Sequence, residues 1–174
     1  MGLFSKIFNK NTAIQILAPT AGEVVSTAQV KDETFSKDMI GKGFAIIPID
    51  GHFVAPMDGE ITLLAETGHA FSIKNKRGIE LLVHIGLDTV NINSQRKSNE
   101  LIKGFNQLVK VGQHVKAGAP IVNADLDFIK KEGYDTITPV IVLNDKSSDN
   151  VEINMINSGK NIAKLTPILE INKK

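Results

Sequence analysis

The sequence contains no cysteine, which excludes disulfides, thiolate chemistry and Cys-ligated zinc or iron–sulfur centres. Net charge is nearly absent as well: 20 Lys and Arg stand against 19 Asp and Glu, a balance of +1. No whole-chain field is therefore available to hold a nucleic acid, and any partner must be recognised by a local patch. Only Arg77 and Arg96 are arginines, a bias that fits an AT-rich genome better than a function. No apolar run approaches the ~20 residues of a membrane span; the candidate stretch Ile79–Leu87 is interrupted by His84. A signal peptide of the usual design is missing. No Gly-rich phosphate loop opens a helix, and no Ser or acid sits in a recognisable hydrolase motif. What remains is 174 residues of globular composition, 42% hydrophobic and 22% charged. This predicts a soluble, cytoplasmic protein of one domain or two small ones.

Residues 1–12 read as a flexible amphipathic segment preceding a single domain at 13–174. Leu3, Phe4, Ile7 and Phe8 fall at helical spacing beside Lys6 and Lys10. So short a helix is unstable alone in water, so the stripe is expected either to dock on the body or to lie on a membrane surface. Lys6 stands where a myristoylation signal has Ser or Thr.

From Ala13 onward short Ile- and Val-rich runs alternate with Gly, Pro, Asp and Asn. The runs are Ile14–Leu17, Gly22–Val25, Phe44–Pro48, His52–Ala55, Glu60–Leu64, Ala70–Ile73, Ile79–Ile85, Ile121–Val122, Val140–Leu143 and Ile162–Leu165. Many short strands with frequent turns predict an all-β sandwich or barrel. Gln95–Val111 and Asp125–Lys131 are the expected helical segments, too short to cover a parallel sheet. Ala18-Pro19-Thr20-Ala21-Gly22-Glu23-Val24 is echoed by Ala55-Pro56-Met57-Asp58-Gly59-Glu60-Ile61. Two such turn-plus-strand units suggest a duplicated β motif.

Of the four histidines, His52 and His114 read as solvated turn residues. His69 and His84 can be placed together. A hairpin turn at Lys74–Gly78, centred between Lys76 and Arg77, pairs Ile73 with Glu80, Phe71 with Leu82 and His69 with His84. Directly opposed side chains share a face at ~4.5–5.5 Å between Cβ atoms, so Phe71 and Leu82 are expected to border the pair. A slip of one residue would send one histidine to the other face. Two adjacent imidazoles can bind a metal, act as acid and base, or divide the roles of nucleophile and hydrogen-bonding support. They can also be structural, satisfied by nearby polar groups.

The strings Val54-Ala55-Pro56-Met57-Asp58-Gly59, Thr67-Gly68-His69-Ala70-Phe71-Ser72-Ile73 and Gly78–Val90, with Val83-His84-Ile85-Gly86-Leu87-Asp88-Thr89-Val90 the most specific part, closely resemble the glucose-family enzyme IIA of the bacterial phosphoenolpyruvate-dependent sugar phosphotransferase system. The resemblance extends over nearly the whole chain, including Met-Gly-Leu-Phe at the start and Leu165-Thr166-Pro167 near the end. It implies an antiparallel β-sandwich of the duplicated hybrid, or barrel-sandwich, type. It further implies that His84 accepts a phosphoryl group on Nε2 from the histidine phosphocarrier protein and passes it to a cysteine of the IIB domain of a glucose-type permease. His69 corresponds to the stabilising histidine and Thr67 to its supporting hydrogen-bond partner. Asp32 and Asp88 match acidic residues that meet basic groups of the phosphocarrier. Phe35 and Phe71 keep the rim apolar, and Leu82 and Ile85 occupy flanking positions that are often phenylalanine in the family. Asn91–Lys103 is longer than the family's usual connection. No cofactor and no metal are required, although a zinc ion shared by His69 and His84 is conceivable. Regulatory partners and a monomeric state are further expectations of the resemblance, and the apolar stripe beside Lys6 and Lys10 adds peripheral membrane contact through Met1–Lys10.

Two other classes compete. Val109–Pro120 with Ala55-Pro56-Met57 looks like a biotin or lipoyl carrier, but Asn123-Ala124-Asp125 supplies no lysine at the turn where one is needed. A zinc hydrolase of related fold would use His69, His84 and an acid, yet the close His-X-His ligand pair is missing.

Overall fold

The computed structural model describes residues 13–95, 97, 99–146 and 148–174. The amphipathic segment Met1–Lys10 lies outside the described residues. The strands are β1 (Ile14–Leu17), β2 (Gly22–Val25), β3 (Gly41–Pro48), β4 (His52–Val54), β5 (Gly59–Leu64), β6 (Ala70–Lys74), β7 (Glu80–His84), β8 (Phe105–Gln107), β9 (His114–Val115), β10 (Pro120–Ala124), β11 (Thr138–Leu143), β12 (Val151–Met155), β13 (Gly159–Ile162) and β14 (Pro167–Lys173). Short helices α1 (Glu33–Ser36) and α2 (Leu126–Lys131) complete the set, with 3-10 turns at Thr27–Gln29 and Thr89–Asn91. One sheet runs β13-β2-β3-β11-β7-β6-β5-β9, and two three-stranded sheets, β1-β14-β12 and β4-β10-β8, accompany it. The pairings are antiparallel throughout, as the alternation of short strands and turns predicts.

The sequence echo is a real duplication. Leu17 N–H donates to the Pro56 carbonyl at 2.9 Å, and Val54 N–H donates to the Pro19 carbonyl at 2.8 Å, the same bond in the other copy. Ala18 exchanges backbone bonds with the Leu165–Thr166 turn as Ala55 does with Gly118–Ala119. Gly22 pairs with Ile162, and Gly59 with Val115. The two crossing turns tie the halves together through backbone groups that would otherwise be buried without partners.

The sheet is buried on both faces where the functional residues sit. Phe44, Ile46, Leu81, Val83, Val140 and Val142 point into the main core, with Ile61, Phe71, Ile73 and Ile85. On the opposite face Ala45, Ile141 and Leu82 join Val25, Val30, Phe35, Leu87 and Ile137 in a second apolar cluster, which α1 covers. Asp32 starts α1 by accepting from Thr34 N–H at 2.8 Å, and that cap aims Phe35 inward.

Three expectations fail. The run Ile162–Leu165 is strand only at Ile162, where β13 ends; Leu165, at φ +68°, lies in the turn that meets Ala18. The hairpin register is one residue away from that predicted: Ala70 pairs with His84, Phe71 with Val83, Ser72 with Leu82 and Lys74 with Glu80. The cause is Asn75, whose side-chain oxygen accepts from Arg77 N–H and Ile79 N–H, while Asn75 N–H donates to the Ile79 carbonyl. That Asx loop, with Gly78 at φ +86°, is centred on Arg77 itself. Among the described residues of the expected helix Gln95–Val111 there is no helix. Gly104 adopts φ +88°, and β8 follows at once, pairing with β10. Tertiary pairing overrides an amphipathic pattern that a central glycine already weakened. The helix expected at Asp125–Lys131 is present as α2, capped by Asp125.

Candidate active site

Strand β7 sets the site by alternation: Leu81 and Val83 enter the main core, leaving Leu82 and His84 on the face covered by α1. His84 ends the strand, half-buried, with Phe35 against it at 5.2 Å between ring centroids and an interplanar angle of 54°. His69 precedes β6 in the bend after Gly68, which has φ +82°. Being outside the strand, it escapes the strict alternation that would have put it on the wrong face. Its carbonyl still accepts from Ile85 N–H at 2.7 Å. The imidazoles of His69 and His84 thus meet edge to face at 5.0 Å and 76°.

Each ring is held by one nitrogen. His84 Nδ1 lies 2.7 Å from the Gly86 carbonyl; a carbonyl can only accept, so Nδ1 carries the proton and Nε2 presents its lone pair. Gly86 reaches this position with φ +77°, and a Cβ there would lie 2.5 Å from Thr89 Cγ2 and 2.7 Å from the Asp135 carbonyl oxygen. No other residue fits. His69 Nδ1 is hydrogen-bonded to the Thr67 hydroxyl, which leaves Nε2 uncommitted by that bond.

Burial dominates the charge state of both rings. It pushes the His69 pKa down to about 4, with His84 nearby adding to the shift. It also lowers that of His84, against the opposing pull of the Gly86 hydrogen bond and the carboxylates of Asp32 and Asp88. Both imidazoles are neutral at pH 7.

The other expected residues divide. Thr67, Asp32, Asp88, Phe35 and Leu82 lie where the sequence reading places them, on or around the histidine face. Asp88 is exposed at its edge. Phe71 and Ile85 do not: both are 0% exposed in the main core. The register shift turns Phe71 inward opposite Val83, so neither residue can touch a partner directly. His52 and His114 are exposed and face carboxylates, Asp50 at 2.6 Å and Glu60 at 3.8 Å, but each opens a strand, β4 and β9, rather than lying in a turn. Among the described residues no group of three or more His, Asp or Glu is arranged to hold a metal ion. His69 and His84 alone fall short of a closed zinc site.

Sequence reasoning missed Gly86, whose carbonyl fixes the His84 tautomer; its signal was its place two residues after His84, within reach of the ring's own Nδ1.

Residues 14–148 match the family model described as phosphoenolpyruvate-dependent sugar phosphotransferase system, EIIA 1. The chain is 35% identical over 177 residues to the PTS system glucose-specific EIIA component of Haemophilus influenzae, covering 99% of this chain and 100% of that one. It is 43% identical over 129 residues to the PTS system glucose-specific EIICBA component of Staphylococcus carnosus, covering 74% of this chain and 18% of that longer protein. Among solved structures, the glucose permease IIA from Mycoplasma capricolum superposes with a TM-score of 0.77 at 33% identity, over 92% of this chain and 96% of that one.

Proposed function

This chain belongs to the EIIA family of the phosphoenolpyruvate-dependent sugar phosphotransferase system, and on that premise we propose that it relays a phosphoryl group through His84 Nε2. The observation that carries the assignment is the bond from His84 Nδ1 to the Gly86 carbonyl, because it leaves the other nitrogen as a nucleophile. The donor is the phosphorylated histidine phosphocarrier protein. The His84 lone pair attacks phosphorus in line, the Nε2–P bond forms, and the donor's N–P bond breaks with its electron pair returning to the donor nitrogen. The His84 ring, now carrying phosphoryl on Nε2 and a proton on Nδ1, is cationic. The Gly86 carbonyl, Asp32 and Asp88 favour that positive charge.

His69 is the supporting group. With the Thr67 hydroxyl donating to Nδ1, neutral His69 carries its proton on Nε2 and offers it to a phosphoryl oxygen. Its low pKa keeps it from competing as a second cation. Apolar cover from Phe35, packed against His84 and clustered with Leu87, restricts water and protects the labile N–P bond until a partner docks. The acceptor is a cysteine of the IIB domain of a glucose-type permease; the fusion named in the EIICBA relative supports that partner. The thiolate attacks phosphorus and Nε2 leaves with its electron pair. Incubation with phosphoenolpyruvate, the general phosphotransferase enzyme and the phosphocarrier tests the reading. Acid-labile phosphate should map to His84, and phosphate on any other residue would overturn the assignment.

A further inference from the structure

We propose that Thr89 is a positioning residue for the histidine pair, acting through the backbone of Ile85 and Gly86. Thr89 is 0% exposed, and its hydroxyl donates to the Ile85 carbonyl at 2.6 Å. Ile85 N–H in turn donates to the His69 carbonyl at 2.7 Å. One residue therefore joins the Thr89 hydroxyl on one side to the backbone of His69 on the other.

The next peptide is fixed in the same manner. Leu87 N–H donates to the Asp135 carbonyl at 3.0 Å, and the Gly86 carbonyl of that same peptide accepts from His84 Nδ1. Between the two anchored peptides lies Gly86, whose φ and ψ no side chain restrains. The Thr89 methyl group occupies the space where a side chain on Gly86 would be. The hydroxyl holds the peptide before the glycine and the methyl closes the space beside it.

Removing the hydroxyl leaves the buried Ile85 carbonyl without this hydrogen bond, a desolvated acceptor that gains by rotating toward another donor. Rotation of the Ile85–Gly86 peptide changes φ at Gly86, where no side chain resists; the following peptide, held only through Leu87 N–H and its own carbonyl, tilts with it and draws the Gly86 carbonyl off Nδ1. The His84 proton is then free to move to Nε2, which removes the lone pair from the nitrogen that faces the site. Thr89 touches neither histidine ring in this scheme; it acts through two peptide units.

The proposal deepens the assignment of His84 as the phosphoryl carrier and rests on it only for its kinetic arm. The direct readout is the ring-nitrogen spectrum of ¹⁵N-histidine-labelled, unphosphorylated protein near pH 7.5, where both imidazoles are neutral. Wild type and Thr89→Ser should show His84 as a single Nδ1–H tautomer. Thr89→Val, which keeps the shape and loses the hydroxyl, should show a mixture, with His52 and His114 unchanged as internal controls. Phosphoryl acceptance by Thr89→Val should fall about 10- to 100-fold, the loss typical when a group that orients a working imidazole is removed, and Thr89→Ser should restore it. Thr89→Ala gives the same comparison should the valine variant fold poorly. A wild-type tautomer in Thr89→Val or Thr89→Ala overturns the proposal, as does a Thr89→Ser protein as defective as they are. The spectra decide the matter even if wild-type His84 takes no phosphoryl group, a result that would overturn the carrier assignment alone.

Discussion

Phe35 lies against His84 with ring centroids 5.2 Å apart, so the imidazole at the end of β7 has an aromatic face on one side and His69 on another. The contact depends on residues far apart in sequence. Asp32 caps the helix that presents Phe35, and the outward face of β7 presents His84. A neutral, sheltered nucleophile follows from this packing and from the Gly86 carbonyl that holds the proton on Nδ1.

Burial of the pair has a definite consequence for stability against pH. His69 has an ordinary pKa near 6.5 and a folded value of about 4. Between those values the unfolded chain binds a proton that the folded chain does not, so stability falls as pH drops through that window. Above 6.5 both states are neutral and the effect vanishes. Urea unfolding at pH 7.5 and 4.5 should show that His69→Gln removes about 2–3 kcal/mol of the acid-induced loss. Parallel pH dependences in wild type and variant would contradict this.

Asp32 and Asp88 provide negative charge near His84, and both favour its positively charged form. Replacing both with Asn should slow association with the phosphocarrier by ~10-fold at low salt and flatten its dependence on ionic strength. The substitutions suit the backbone, since Asn caps a helix as well as Asp at position 32 and tolerates the left-handed φ of +56° at Asp88. Stopped-flow phosphoryl transfer across a salt series measures the effect. An unchanged slope would remove the carboxylates from the docking surface.

Much of this was legible in the sequence because it rests on local chemistry. β1 and β2 were bounded correctly from their Ile and Val runs, and the Ala-Pro turns were visible as an echo. Their meaning, a reciprocal crossing of two backbone turns, needed the partner turns at Gly118 and Leu165. Those two sites share a left-handed φ, +88° and +68°, but one is Gly and the other Leu, so the second echo is hidden. The histidine pair was foreseen by pairing in the wrong register. It survives because His69 sits in a bend rather than in the ladder, while Phe71, which does obey the ladder, turns into the core. β12 and β14 were missed: β12 is largely exposed and alternates Val151, Ile153 and Met155 with Glu152 and Asn154, and β14 opens on Pro167, so neither shows an unbroken apolar run.

The central claim is the unequal division of labour between the two imidazoles, and paired substitution measures it most directly. His84→Gln removes the nucleophilic nitrogen, and no acid-labile phosphoprotein should form with phosphoenolpyruvate, the general enzyme and the phosphocarrier. His69→Gln keeps the nucleophile, so His84 should still be phosphorylated. A chase with the IIB partner should then be slower by ~100-fold, the scale of losing one preorganised donor to a transition-state oxygen. Phosphate retained by His84→Gln and lost from His69→Gln would reverse the two roles, and wild-type transfer in both variants would make the pair purely structural.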